Sequence, residues 1–147
     1  MSRMTPELLE SYLADYGWAF RKISRGHWVT GWQGRDRAYP LVLSLSDTWL
    51  SFQVKPFLRL AVDWENWPEL SQFLLEMNHS CHMVKLVVDD RGDVGLSLEI
   101  FANNMVFPNF ADALGVLGYY CDYLYEQILG QMDRIGLSLD QAVKYLT

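Results

Sequence analysis

HMVKLVVDDRGDVGLSLEIF, His82 to Phe101, is the stretch on which the fold turns. It consists of two β-rich runs around Asp90-Arg91-Gly92-Asp93, and Gly92 can take the positive φ that a hairpin turn or bulge demands. An antiparallel hairpin is predicted here. Just upstream, WPELSQFLLEMN places Trp67, Leu70, Leu74 and Met77 on one helical stripe with Phe73 beside it, the pattern of a helix lying across a sheet face. Asn66 and Glu69 are spaced as a capping box, with Pro68 in the first turn. Helix then hairpin is the local order.

Before this helix the pattern alternates. WAFRKIS, HWVTGWQ and PLVLSLSDTWLSFQVKPF are broken at Arg25-Gly26, at Gly34 to Asp36 and at Ser46-Asp47, which predicts three or four antiparallel strands. Leu41, Leu43 and Leu45 share one face, and Leu50, Phe52 and Val54 continue it after the turn. The chain opens with TPELLESYLADYG, an amphipathic helix with Thr5 as N-cap, Pro6 in the first position and Gly17 as its stop. Downstream, Asn109 can cap a long helix ending near Gly136, whose core stripe is Phe110, Leu114, Leu117, Cys121, Leu124 and Ile128. Its second face carries Ala111, Gly115, Gly118 and Asp122 beside Tyr119, Tyr120, Tyr123 and Tyr125. Ser138 and Gln141 cap a short last helix, LDQAVKYL.

The expected fold is therefore α+β: an antiparallel sheet of about five strands packed against helices, in the order α-β-β-β-α-β-β-α, as one domain over residues 1–147. Half of the chain is apolar, enough for a single core at 147 residues. The net charge of −6 is split between +3 over residues 1–60 (8 basic, 5 acidic) and −9 over residues 61–147 (4 basic, 13 acidic). That balance disfavours nucleic acid as a partner, because phosphate backbones are bound by cations. No apolar run approaches the roughly 18 to 20 residues that span a bilayer. Two cysteines and no signal-peptide pattern lead us to expect a cytoplasmic chain with free thiols.

The helix ending LLEMN, the strand after it, the DDRGDV turn, the strand ending SLEIF and the long helix together resemble the YbjN family, whose fold is like that of the type III secretion chaperones. The resemblance covers about residues 66–131, and the first sixty residues match in element order. It implies a non-enzymatic adaptor, chaperone-like or regulatory protein, with no catalytic residue to carry over and no cofactor. The richness in tryptophan and tyrosine also looks like that of cyanobacterial and plastid relatives. Secretion-chaperone function is not implied, because a fold hosts many functions.

His79, Cys81 and His82 crowd into four residues of a chain with three histidines. They lack CxxC or HxxxH spacing, and a helix-to-strand junction points their side chains apart, so no metal site is expected. A Cys81 nucleophile would need an aligned base and an oxyanion hole that the sequence does not display. Asp89, Asp90 and Asp93 fail the EF-hand pattern at Arg91, and GWQGRDR lacks the GK[ST] of a phosphate loop. The aromatic surplus remains. Six tryptophans and eight tyrosines are many for one small core, so Trp28, Trp32, Trp49 and Trp64 are expected to include exposed members. Two binding readings follow. In the first, another polypeptide, or a second copy in a homodimer, docks on a sheet face or on Gly115, Gly118, Tyr119, Asp122 and Tyr123 of the 109–135 helix. In the second, a small molecule or anion is sensed near Arg21, Arg35 and Arg37.

Overall fold

The structure, a computed structural model, describes residues 3–59 and 65–135. Trp64, Gly136 and the expected last helix lie outside the described residues. The chain forms helix α1 (Pro6–Tyr16), strands β1 (Arg21–Ser24), β2 (His27–Gln33), β3 (Ala38–Leu45) and β4 (Trp49–Arg59), helix α2 (Trp67–Ser80), strands β5 (Val84–Val88) and β6 (Asp93–Phe101), and helix α3 (Phe107–Arg134). One antiparallel sheet runs β1-β2-β3-β4-β6-β5. It has six strands where about five were expected, because all three breaks, at Gly26 (φ +84°), after Gln33 and after Leu45, reverse the chain and leave four strands before α2. The element order is as expected.

Strand alternation gives the sheet two unlike faces. Trp28, Leu43, Phe52, Leu98 and Val84 lie side by side across five strands, and all are buried. The next row, Val29, Val42, Gln53, Ser97 and Lys85, points the other way. The first face carries the core, where Leu9 and Leu13 of α1, Leu70 and Leu74 of α2, and Phe110, Leu114, Leu117, Cys121, Leu124 and Ile128 of α3 are buried. The second face carries no helix among the described residues.

Helix ends test the local reading. Thr5 caps α1 by accepting from the Leu8 amide at 3.1 Å, and Gly17 closes it at φ +90°. The expected cap at Asn66 is not made by its side chain. Helix α3 starts at Phe107, before Asn109, with Val106 at the N-cap and Pro108 in the first turn. Proline tolerates that position because its missing N–H would have no intrahelical partner. Helix α2 continues past Asn78 to Ser80, and β5 starts at Val84, two residues after His82.

Asn78 acquires a role that spacing alone did not reveal. Its Oδ1 accepts from the Leu86 amide at 2.6 Å and its Nδ2 donates to the Leu86 carbonyl at 3.1 Å. Because β5 ends the sheet, this amide side chain occupies backbone groups that another strand would otherwise pair with. Lys85 Nζ donates to the carbonyls of Asn78 (3.2 Å) and Cys81 (3.3 Å), a cation at the negative end of α2. The opposite edge, β1, is short, fully exposed, bulged and charged at Arg21 and Lys22, which discourages strand pairing.

Candidate functional site

The tyrosine- and glycine-bearing side of α3 divides between two environments. Asp122 Oδ1 accepts from the Arg35 amide at 2.9 Å and lies 3.4 Å from the Tyr39 hydroxyl, which donates to the Cys121 carbonyl at 3.2 Å. At Gly34 a Cβ would sit 2.3 Å from the Tyr39 ring and 2.8 Å from Asp122 Oδ1, so only glycine lets this turn approach α3 so closely. Gly118 faces Trp32 Nε1, with 3.8 Å from a built Cβ. Of the residues expected on a partner-facing ridge, Asp122 and Gly118 thus face the β2–β3 hairpin of the same chain. Gly115 faces open space, Tyr119 is 65% exposed, and Tyr123 stacks on Tyr119 at 6.1 Å.

The three arginines do not converge. Arg35 is ion-paired with Glu126 at 2.6 Å, and that carboxylate holds its guanidinium above the ordinary value. Arg37 donates to the carbonyls of Phe57 (2.8 Å) and Ala38 (3.2 Å) and lies over the rings of Tyr39 and Tyr125, 5.3 and 5.6 Å from their centroids. Arg21 sits on the edge strand opposite Val29, back along β2 from the hairpin turn. Salt bridge, carbonyls and rings thus occupy two of the three cations expected to receive an anion.

Most of the aromatic surplus is internal. Trp18 stacks on Trp32, Trp32 packs on Tyr39, Tyr39 on Phe57, and Phe57 on Tyr125 at centroid distances of 5.4, 5.4, 5.9 and 6.3 Å, a ladder pinning the β2–β3 hairpin to α3. Trp28 is buried. At the junction after α2, Cys81 is buried while His79 and His82 are exposed. Burial pushes the Cys81 thiol up, only partly offset by Lys85, and burial also pushes Cys121 up. Among the described residues, no group of three His, Cys, Asp or Glu is placed to hold a metal, and no helix is long and apolar enough to cross a membrane.

The uncovered sheet face holds the remaining candidate. Along β6, Gly95, Ser97, Glu99 and Phe101 alternate onto it, with Gln53, Ser51 and Trp49 of β4 beside the last three in register. Lys85 and Val87 of β5 stand opposite Ser97 and Gly95. Small residues on β6 between larger neighbours leave a trough of about 540 Å³, lined by Gln53, Lys55, Pro56, Val87, Gly95 and Ser97. Ser97, only 9% exposed, makes no side-chain hydrogen bond among the described residues. Trp49 and Phe101 stack at 4.7 Å and 18° beyond Glu99 and stay 43% and 68% exposed. At the other end the Asp89 carboxylate accepts from the amides of Asp93 and Arg91, which hold it below its ordinary value.

Trp49 was a sequence candidate, but Phe101, Ser97, Gly95 and Gly34 were not. The first three could have been found by reading G-x-S-x-E-x-F with period two, as the surface of a strand rather than its buried side.

No family model matches the chain, and no curated protein matches its sequence. Among solved structures it is similar to YbjN, a candidate transcription regulator from E. coli, with a TM-score of 0.60 and 17% identity over 86% of this chain and 97% of that one. At that identity the likeness is one of architecture: the protein has a YbjN-like α+β fold.

Proposed function

We propose that the protein is a non-enzymatic adaptor that binds another polypeptide on the open face of its sheet. The observation that carries this reading is the Trp49–Phe101 stack, two large rings held in contact on a face that no helix covers among the described residues. Exposed aromatics of this kind are enriched where proteins meet, because they offer large contact area with few rotamers to freeze. The raised thiols of Cys81 and Cys121 offer no ready nucleophile, which supports a binding role over a catalytic one. A regulatory role like that named for YbjN would here act through protein contacts, since a net charge of −6 does not suit a phosphate backbone.

The test is site-specific photo-crosslinking in the native cell, with the crosslinking side chain placed at Trp49 or, separately, at Tyr119. We expect an adduct with a discrete polypeptide from Trp49, lost when Phe101→Ala is added. An adduct of twice the chain mass would make that partner a second copy. Adducts from Tyr119 alone, or none from either position, would refute the sheet-face reading.

A further inference from the structure

We propose that the trough along β6 receives an extended segment of the partner that carries a basic side chain next to a large apolar one. This rests on the polypeptide-binding reading above and adds the chemistry of what is bound. From Gly95 to Glu99 the trough follows β6 for roughly 14 Å at about 3.4 Å per residue, the length of a short extended strand, and the Trp49–Phe101 pair stands beyond Glu99.

Charge selects the occupant. Lys85 reaches the trough in register, yet its ammonium is turned away to the carbonyls that end α2. Arg59 is paired with Asp93 at 3.0 Å, and Lys55 and Asp89, one charge of each sign, also line the trough. Glu99, exposed between Ser97 and the aromatic pair, has no ion pair among the described residues. The uncompensated charge is negative, so its complement is a cation. A guanidinium or ammonium reaching Glu99 also lies beside Trp49 and Phe101, whose ring faces attract cations. The adjoining apolar side chain would rest against Val87 and Pro56, and the Ser97 hydroxyl and Gln53 amide would meet the polar atoms of the segment.

The experiment follows backbone amide shifts of the full chain as two capped nonapeptides are added, GSLRFRLSG and GSLEFELSG. The arginine peptide is expected to move the amides of Gly95 to Phe101 and of Gln53, and the glutamate peptide to leave them unmoved. Glu99→Gln should weaken the arginine peptide about fivefold, the scale of one exposed charge contact, and Glu99→Arg should reverse the preference. Because Glu99 is exposed, both variants are expected to keep the parent spectrum away from β6. No shift along β6, or an unchanged preference in Glu99→Arg, overturns the proposal. A crosslink from Trp49 to a partner segment that is acidic or uncharged also overturns it while leaving polypeptide binding intact. The absence of any such crosslink removes both.

Discussion

Replacing Asn78 with alanine removes two hydrogen bonds, at 2.6 and 3.1 Å, that engage the amide and carbonyl of Leu86. A bond of this kind contributes about 0.5 to 1.5 kcal/mol net, and an unpaired buried partner costs about 1 to 3 kcal/mol. Leu86 is 6% exposed, but it sits at a sheet edge where water can reach part of its backbone, so the lower half of that range applies. We expect Asn78→Ala to lose about 2 kcal/mol in urea unfolding, or about 6 °C in Tm for a domain of this size. The Leu86 amide should also exchange with solvent faster. Asn78→Asp sharpens the test, because its carboxylate would face the Leu86 carbonyl. That contact raises the folded-state pKa of the new acid above its unfolded value, so the variant should gain stability as pH falls through it and lose stability as pH rises. A protonated carboxyl can again donate to the carbonyl. Unfolding of Asn78→Ala within 0.5 kcal/mol of the parent, a limit set by the smallest expected single bond, with unchanged exchange at Leu86, would refute the edge-plug argument.

Asp122→Ala, which frees the Arg35 amide and removes the anchor beside Tyr39, should cost about 1 to 3 kcal/mol in urea unfolding, whereas Glu126→Gln, which breaks only an exposed ion pair, should cost under about 1 kcal/mol. Burial raises the folded-state pKa of Tyr39 above its ordinary value of 10.0, so its contribution to stability is complete below that pH and is lost as pH rises beyond it. The parent should lose more stability than Tyr39→Phe between pH 10 and 11, measured in parallel urea titrations. Native protein at pH 8 should react with a thiol-specific disulfide reagent far more slowly than unfolded protein, since burial raises both thiols. Labelling of Cys81 at the rate of a free thiol would contradict its burial.

Features carried by neighbouring residues were legible in advance. Thr5, Pro6 and Gly17 bound α1, and Gly92, at φ +83°, supports the turn between β5 and β6, because caps and turns depend on a few adjacent dihedrals. The core stripe of α3 was equally readable from its period. Asn66 does stand at the N-cap of α2 without a side-chain capping bond, and the cap of α3 falls at Val106 rather than Asn109, since residue type permits a cap without placing the side-chain oxygen over a free amide. Gly118 and Asp122 share a helical period with residues that face solvent, and no period tells a face meeting another segment of the chain from one meeting water. The arginine placement was hidden for a related reason: Arg35 and Arg37 are two residues apart, but their partners Glu126 and Tyr125 stand on α3.

By itself, then, the sequence determined the α+β class, the order of the elements and the apolar side of each, all properties set by local dihedral preference and side-chain periodicity. Tertiary structure alone decided that β4 lies beside β6, that Asn78 closes one sheet edge, that the hairpin ladder uses up most of the aromatic surplus, and that Trp49 and Phe101 are left together in the open. Those outcomes depend on contacts between residues far apart in the chain, 91 positions in the case of Arg35 and Glu126, and such contacts exist only once the segments have packed.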